Sequence, residues 1–253
     1  MNKLLLYLPR SKKEGEPWYR RYSLIRAGVY DVTYDITKAD VIATPHRPVK
    51  KDYILYYSDL WTGFDDIIAG AKIVFACRPV LYEHAKKLNK NTIYTHNGTW
   101  VDSGPITDRT GPLLAPYGNW HKLTSLHIPG VTVTKQIYRS AKIDWLRNAT
   151  HCKDTDWVDV TDFYKYRAIV LSSEVNDFTK AQDNLKYYDG LAQGLPMLLY
   201  THGTSFTTSD PYVFEAFSGY REEDIVWPTL DYVEQFRIEN NWKTIFKEEL
   251  KYI

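Results

Sequence analysis

The chain has 253 residues, 44% hydrophobic and 25% charged, with 32 Lys+Arg against 31 Asp+Glu. That balance excludes a disordered or collagen-like protein and leaves room for one large domain or two small ones with a real core. The net charge of +1 hides an asymmetry, because residues 1–50 hold ten Lys/Arg against five Asp/Glu and the remainder is acidic on balance.

Two cysteines, Cys77 and Cys152, cannot frame a disulfide scaffold and lack zinc-ribbon spacing, which favours a reducing, cytoplasmic setting. The opening apolar run, residues 3–8, ends at Pro9-Arg10. It is too short for a secretory signal or a membrane span and reads as a buried first strand.

Taken in chain order, short runs rich in β-branched and aromatic residues predict strands at 3–8, 29–34, 40–44, 53–57, 72–76 and 92–95. Helical spacing falls at 63–70 and 79–88, the second opened by Pro79. Apolar strands joined by helices predict a parallel sheet covered on both faces. A second series of the same kind follows residues 97–111, which are rich in turn formers. Strands are expected at 112–116, 130–134, 157–160, 167–172, 196–200 and 224–227, and helices at 136–149, 162–166, 184–193, 210–219 and 229–252. The expected fold class is α/β, with two Rossmann-like domains, 1–105 and 106–253, facing a central cleft.

Several activities lose support. The chain has no G-x-G-x-x-G after its first strand, no P-loop, no H-E-x-x-H and no G-x-S-x-G, which counts against dehydrogenases, P-loop NTPases, zincins and α/β-hydrolases. The five His residues other than His46 and His96 show no metal-ligand spacing. The stretch 10–26 interleaves Arg10, Lys12, Lys13, Arg20, Arg21 and Arg26 with Trp18, Tyr19 and Tyr22. Such a patch suits phosphates of a nucleotide or a nucleic-acid backbone, or is simply a solvated charged loop. Asp59, just after a strand, could orient or deprotonate an acceptor hydroxyl, or cap a helix.

The most informative segment runs from Asn184 to Tyr200. It is a short helix carrying Lys186 and Asp189 on one face, stopped at Gly194, with Pro196 opening an apolar strand. This segment resembles the donor-binding motif of GT-B-fold glycosyltransferases, in particular the group of glycogen and sucrose synthases, whose run is K-l-x-E-x-x-A-x-G-x-P-v-v. Asp189 stands where that motif has Glu. Tyr166 to Glu174 resembles the family's strand ending in P-S-x-x-E. Asn97-Gly98-Thr99-Trp100-Val101-Asp102 is similar to its N-G-v-D linker, and residues 241–252 are similar to its closing helix, which begins at a Trp.

The resemblance implies a compact glycosyltransferase that takes a nucleotide sugar, a UDP-sugar first, as co-substrate with retention of configuration, and that needs no metal or other cofactor. It assigns donor binding to Glu174, Lys186, Asp189 and Gly194; the family's diphosphate-binding Arg and Lys have no clear match, and Arg139 and Lys142, three apart on an expected helix face, are the candidates for that role. His46 would lie near the sugar and act with Asp59 as the catalytic pair. Lys12, Lys13, Trp18, Arg20 and Arg21 would meet the acceptor. Small enzymes of this fold glycosylate hydroxymethylated bases in bacteriophage DNA, and the basic aromatic stretch fits double-stranded DNA as partner. A saccharide or lipid-linked saccharide acceptor, and a non-catalytic nucleotide- or nucleic-acid-binding module of the same fold, are the alternatives.

Overall fold

The computed structural model describes residues 4–7, 23, 27–42, 52–57, 63–101, 110–111, 113–117, 133–139, 157–159, 163, 165–171, 185–199, 210–215, 223 and 225–253. Every strand pairing among them is parallel, and helices alternate with the strands, so the chain is an α/β protein. It divides into two compact units. The first takes residues 1–98, 181–183 and 240–253; the second takes 99–180 and 184–239. The C-terminal residues thus cluster with the first unit, whereas the sequence reading places them in the second.

In the first unit, β1 (Leu5–Tyr7) lies between β2 (Asp31–Thr33) and β3 (Val41–Ile42). A second sheet has the order β4 (Ile54–Tyr57), β5 (Ile73–Ala76), β6 (Thr92–Tyr94). All residues of β4 and β5 are buried, as expected for parallel strands covered on both faces. One face turns Leu55, Tyr57, Val74 and Ala76 toward α1 (Asp65–Gly70) and α2 (Pro79–Leu88), in a core with Ile67, Ile68, Leu81 and Ala85. Helix α2 forms because Pro79 fits its first turn, Leu81 and Ala85 repeat four apart toward that core, and Lys86 and Lys87 complement its C-terminal dipole.

The alternate residues carry the other face. Tyr56 and Phe75 stack at 5.3 Å, and Phe246 of α5 (Trp242–Glu249) meets Tyr56 edge-on at 6.4 Å. Trp242 stacks on Phe246 at 5.1 Å, and both are fully buried. The backbone at Gly98 approaches this helix closely. A Cβ there would stand 2.7 Å from both the Asn240 carbonyl and Ile245 Cδ1. Thr95 Oγ1 donates to the buried Glu249 carboxylate at 2.7 Å and ties the end of α5 to the residue just after β6.

Among the described residues the second unit holds a six-stranded sheet with the order β12-β11-β10-β7-β8-β9. Its strands are β7 (Leu113–Tyr117), β8 (Val133–Arg139), β9 (Trp157–Asp159), β10 (Ala168–Leu171), β11 (Met197–Leu199) and β12 (Val213–Glu215). Counted within the unit, this is 3-2-1-4-5-6 read from β9, the strand order of the doubly wound dinucleotide-binding fold. Among the described residues its helices are α3 (Leu185–Ala192) and α4 (Leu230–Glu239). Its core gathers Phe163, Ile169, Tyr188, Leu191, Leu195, Met197, Leu199 and Phe236.

Four expectations are corrected. The helix at 136–149 gives way, over 136–139, to the end of β8, so Arg139 closes a strand and does not share a helix face with Lys142. Val133, Thr134, Ile137 and Tyr138 favour extended backbone, and β8 is an inner strand paired with β7 and β9. The helix at 210–219 is instead β12 over 213–215. Asp210-Pro211 imitates a helix start, but the Asp210 carboxylate accepts from the Tyr212 amide at 2.9 Å, an Asx-turn that feeds a strand. The strand expected at 224–227 is not regular among its described residues. The single helix at 229–252 is two, because the Asn241 side chain accepts from the Lys243 amide at 2.9 Å and caps a new start.

Candidate functional site

In an open parallel sheet, ligands bind outside the carboxyl ends of the strands, where the strand order reverses. In the second unit that switch point lies between β7 and β10. The chain leaving β10 reads Ser172-Ser173-Glu174, so Glu174 follows a switch-point strand directly in sequence. Glu174 itself lies outside the described residues, as does Lys142.

Helix α3 comes next along the chain and carries Lys186 and Asp189. Asp189 is 1% exposed and accepts a hydrogen bond from Thr99 Oγ1 at 2.6 Å. The same Thr99 oxygen accepts from the Val101 amide at 3.0 Å, and Thr99 is fully buried. The linker-like segment 97–102 and the donor-like segment 184–200 therefore meet through one short bond, 90 residues apart in sequence. In this arrangement the carboxylate is enclosed by protein, and the Thr99 hydroxyl occupies one of its roughly four acceptor sites.

Gly194 has a local backbone role. Its φ of 81° is left-handed; the Gly194 amide donates to Leu191 O at 2.9 Å, and the Leu195 amide donates to Gly190 O at 3.0 Å. Those two bonds form a Schellman stop, for which glycine is the favoured residue. Arg237 Nε adds a bond to Ala192 O at 2.6 Å and satisfies another carbonyl of the same helix end. The Gly-x-Pro portion of the motif thus ends α3 and aims β11, where Ile169 N donates to Pro196 O at 3.0 Å.

The first unit has its own reversal, between β1 and β3. The chain leaves β1 into the stretch with Lys12, Lys13, Trp18, Arg20 and Arg21, and leaves β3 toward His46; Asp59 follows β4 by two residues. All seven lie outside the described residues. Close to β4's carboxyl end the structure shows a group the sequence does not announce. Tyr57 Oη and His84 Nδ1 are 2.9 Å apart, and His84 Nε2 is 3.4 Å from an Asp65 oxygen. Tyr57 is 1% exposed, so this chain of polar groups fastens β4 to α1 and α2.

A second unannounced group sits at the amino end of β12, in the second unit. Asp210 accepts from Tyr187 Oη at 2.8 Å and Tyr232 Oη at 2.6 Å, through the same oxygen. Tyr212 packs edge-on against Tyr232 at 4.4 Å, and Phe236 contacts Tyr187, Tyr188 and Tyr232. Burial first, and then the Asp210 carboxylate beside them, hold both phenols well above the usual tyrosine range.

The folded chain therefore keeps two protons that the unfolded chain releases near pH 10. Their stabilising effect is complete below about pH 10 and is lost progressively above it. Thermal unfolding followed from pH 8 to 11 is expected to show a midpoint that drops above pH 10. The drop should be shallower in Tyr187→Phe/Tyr232→Phe; equal slopes would refute the assignment.

Among the described residues no group of three or more His, Cys, Asp or Glu is placed to hold a metal ion, and no helix is long and apolar enough to cross a membrane. No family model matches the chain, and no curated protein matches it. Solved structures similar to the chain include two at 10% identity. The crystal structure of the GtfA/B complex has a TM-score of 0.47, over 83% of this chain and 56% of that one. The crystal structure of accessory secretory protein 1,2 and 3 in Streptococcus pneumoniae has a TM-score of 0.43, over 84% of this chain and 52% of that one. The chain spans about half the length of these two structures.

Proposed function

We propose that the chain transfers a sugar from a nucleotide-sugar donor to an acceptor hydroxyl. The observation that carries this reading is the 3-2-1-4-5-6 strand order of the second unit, with the motif-bearing segments 172–174 and 184–200 following the switch-point strand β10 in sequence. That order builds a nucleotide crevice, and the resemblance supplies the sugar chemistry. Glu174 and Lys186 would hold the donor, joined by Asp189 when its bond to Thr99 opens. Arg139, Lys142 and Lys186 would supply cations against the charge that develops on the departing diphosphate. His46 and Asp59 would serve the sugar and the acceptor hydroxyl. The basic aromatic stretch 10–26 favours an anionic acceptor, a hydroxymethylated base in DNA, over a neutral saccharide.

Asp189 and Thr99 separate donor recognition from scaffolding. Asp189→Asn keeps an oxygen that can accept from Thr99 but removes the charge, so the melting temperature should stay within a few degrees. Donor affinity, read by calorimetry with UDP-glucose and the corresponding GDP- and CMP-sugars, should fall by about tenfold or more, the loss expected for a hydrogen bond to a charged group. Thr99→Val should lower stability by about 1–3 kcal/mol, because the buried carboxylate loses the Thr99 hydrogen bond. A wild-type chain that binds none of these nucleotide sugars would refute the proposed activity. Unchanged donor affinity in Asp189→Asn would refute the role of Asp189.

A further inference from the structure

The flank of the first unit formed by α2 and β6 is cationic and aromatic at once. Residues 71–94 carry five Lys/Arg against one acidic side chain, Glu83. Four of the cations, Lys72, Lys86, Lys87 and Lys90, are exposed lysines. Tyr94, the last residue of β6, is 52% exposed on a strand that ends its sheet among the described residues. It meets Tyr82 of α2 edge-on at 6.0 Å, and the Lys86 ammonium lies 6.0 Å from the centre of the Tyr82 ring.

Backbone contacts hold the lysines in place. Lys86 Nζ donates to Lys90 O at 2.7 Å, and Asn91 Nδ2 donates to Lys72 O at 3.2 Å, which brings the Lys72 and Lys90 ends of two loops together. Read along α2, the order is Tyr94, Tyr82, Lys86, Lys90, Lys72: rings first, then ammonium groups.

We infer that this flank binds single-stranded nucleic acid, with a base stacked on Tyr94 and phosphates paired with Lys72, Lys86 and Lys90. A ring that is half exposed at the end of a strand offers a face to any base, and the adjoining lysines supply point charges for the backbone. That combination is how proteins hold single strands without reading sequence. Paired bases in a duplex have no free face for Tyr94, so charge alone would act there. The inference adds a second surface to the nucleic-acid acceptor reading and rests on the same class of partner. Its test uses no sugar donor, so either can fail without the other.

The probe is a fluorescent oligothymidylate of about 16 nucleotides, within the range that one such site covers, titrated with the full chain at several salt concentrations. Replacing Lys72, Lys86 and Lys90 together by Ala should weaken binding at low salt and flatten the slope of log K against log salt by about 2, at roughly 0.7 for each phosphate lost. Restoring the three as Arg should restore the slope, which excludes a folding defect. Tyr94→Ala should cost about tenfold in affinity, while Tyr94→Phe should bind as the parent does. An unchanged slope in the lysine variant, or an unchanged affinity in Tyr94→Ala, would overturn the inference. So would a loss of duplex affinity in Tyr94→Ala as large as the loss for the single strand, since paired bases offer Tyr94 no face.

Discussion

Trp242→Ala is expected to lower the stability of the first unit by about 3–5 kcal/mol, the range for deleting a fully buried large aromatic side chain. The indole is fully buried, stacks on Phe246 at 5.1 Å and stands beside the Gly98 backbone. Its loss opens a cavity under the N-terminus of α5 and loosens the cover that Phe246 provides over Tyr56 and Phe75. The melting temperature should fall by roughly 6–20 °C, taking about 2–4 °C for each kcal/mol in a chain of this size. Hydrogen exchange should locate the damage: amides of β4 and β5 lose protection, while those of β10 and β11 keep it. Unchanged protection in β4 and β5 would show that α5 does not seal that face.

Asp210→Ala should cost about 3–4 kcal/mol. One carboxylate accepts from two phenols and one backbone amide, and each bond to a charged group is worth about 1.5–3 kcal/mol, with incomplete additivity. The substitution leaves Tyr187 and Tyr232 without that acceptor in a largely apolar setting and releases the turn that launches β12. Urea unfolding checks the magnitude, and a double-mutant cycle checks the cause. In a Tyr187→Phe/Tyr232→Phe background the same substitution should cost less than half as much, because the phenols are gone. An equal cost in both backgrounds would mean that Asp210 acts through the Tyr212 turn alone.

Local signals in the sequence locate most of the strands and the helix over 79–88, whose Pro79 start and Leu81/Ala85 spacing act within one turn of the residues they order. The regions it misreads are those where a side chain has two local uses. Asp210-Pro211 can begin a helix or close an Asx-turn, and the pull of Tyr187 and Tyr232 on the carboxylate accompanies the second. Residues 136–139 have mixed propensity, and pairing on both sides of β8 makes them extended. Asn240-Asn241 reads as mid-helix until the Asn241 cap is seen.

The candidate site divides in the same way. Its motif is visible in sequence, and Gly194 is explained by purely local hydrogen bonds. The Thr99–Asp189 bond spans 90 residues, the Tyr57–His84–Asp65 chain joins three separate elements, and no periodicity encodes either.

The first unit is built from residues 1–98 together with 240–253, and this has a consequence for synthesis. A domain usually folds as its residues leave the ribosome, N-terminal part first. Here the β4-β5-β6 sheet waits, with Tyr56 and Phe75 uncovered, until the stretch that bears Trp242 and Phe246 has been made. The intervening unit has all of its own strands by then and is free to fold before the one that precedes it. A chaperone that screens exposed aromatic surface would meet this protein chiefly through β4 and β5 of the nascent chain, during the translation of residues 99–239.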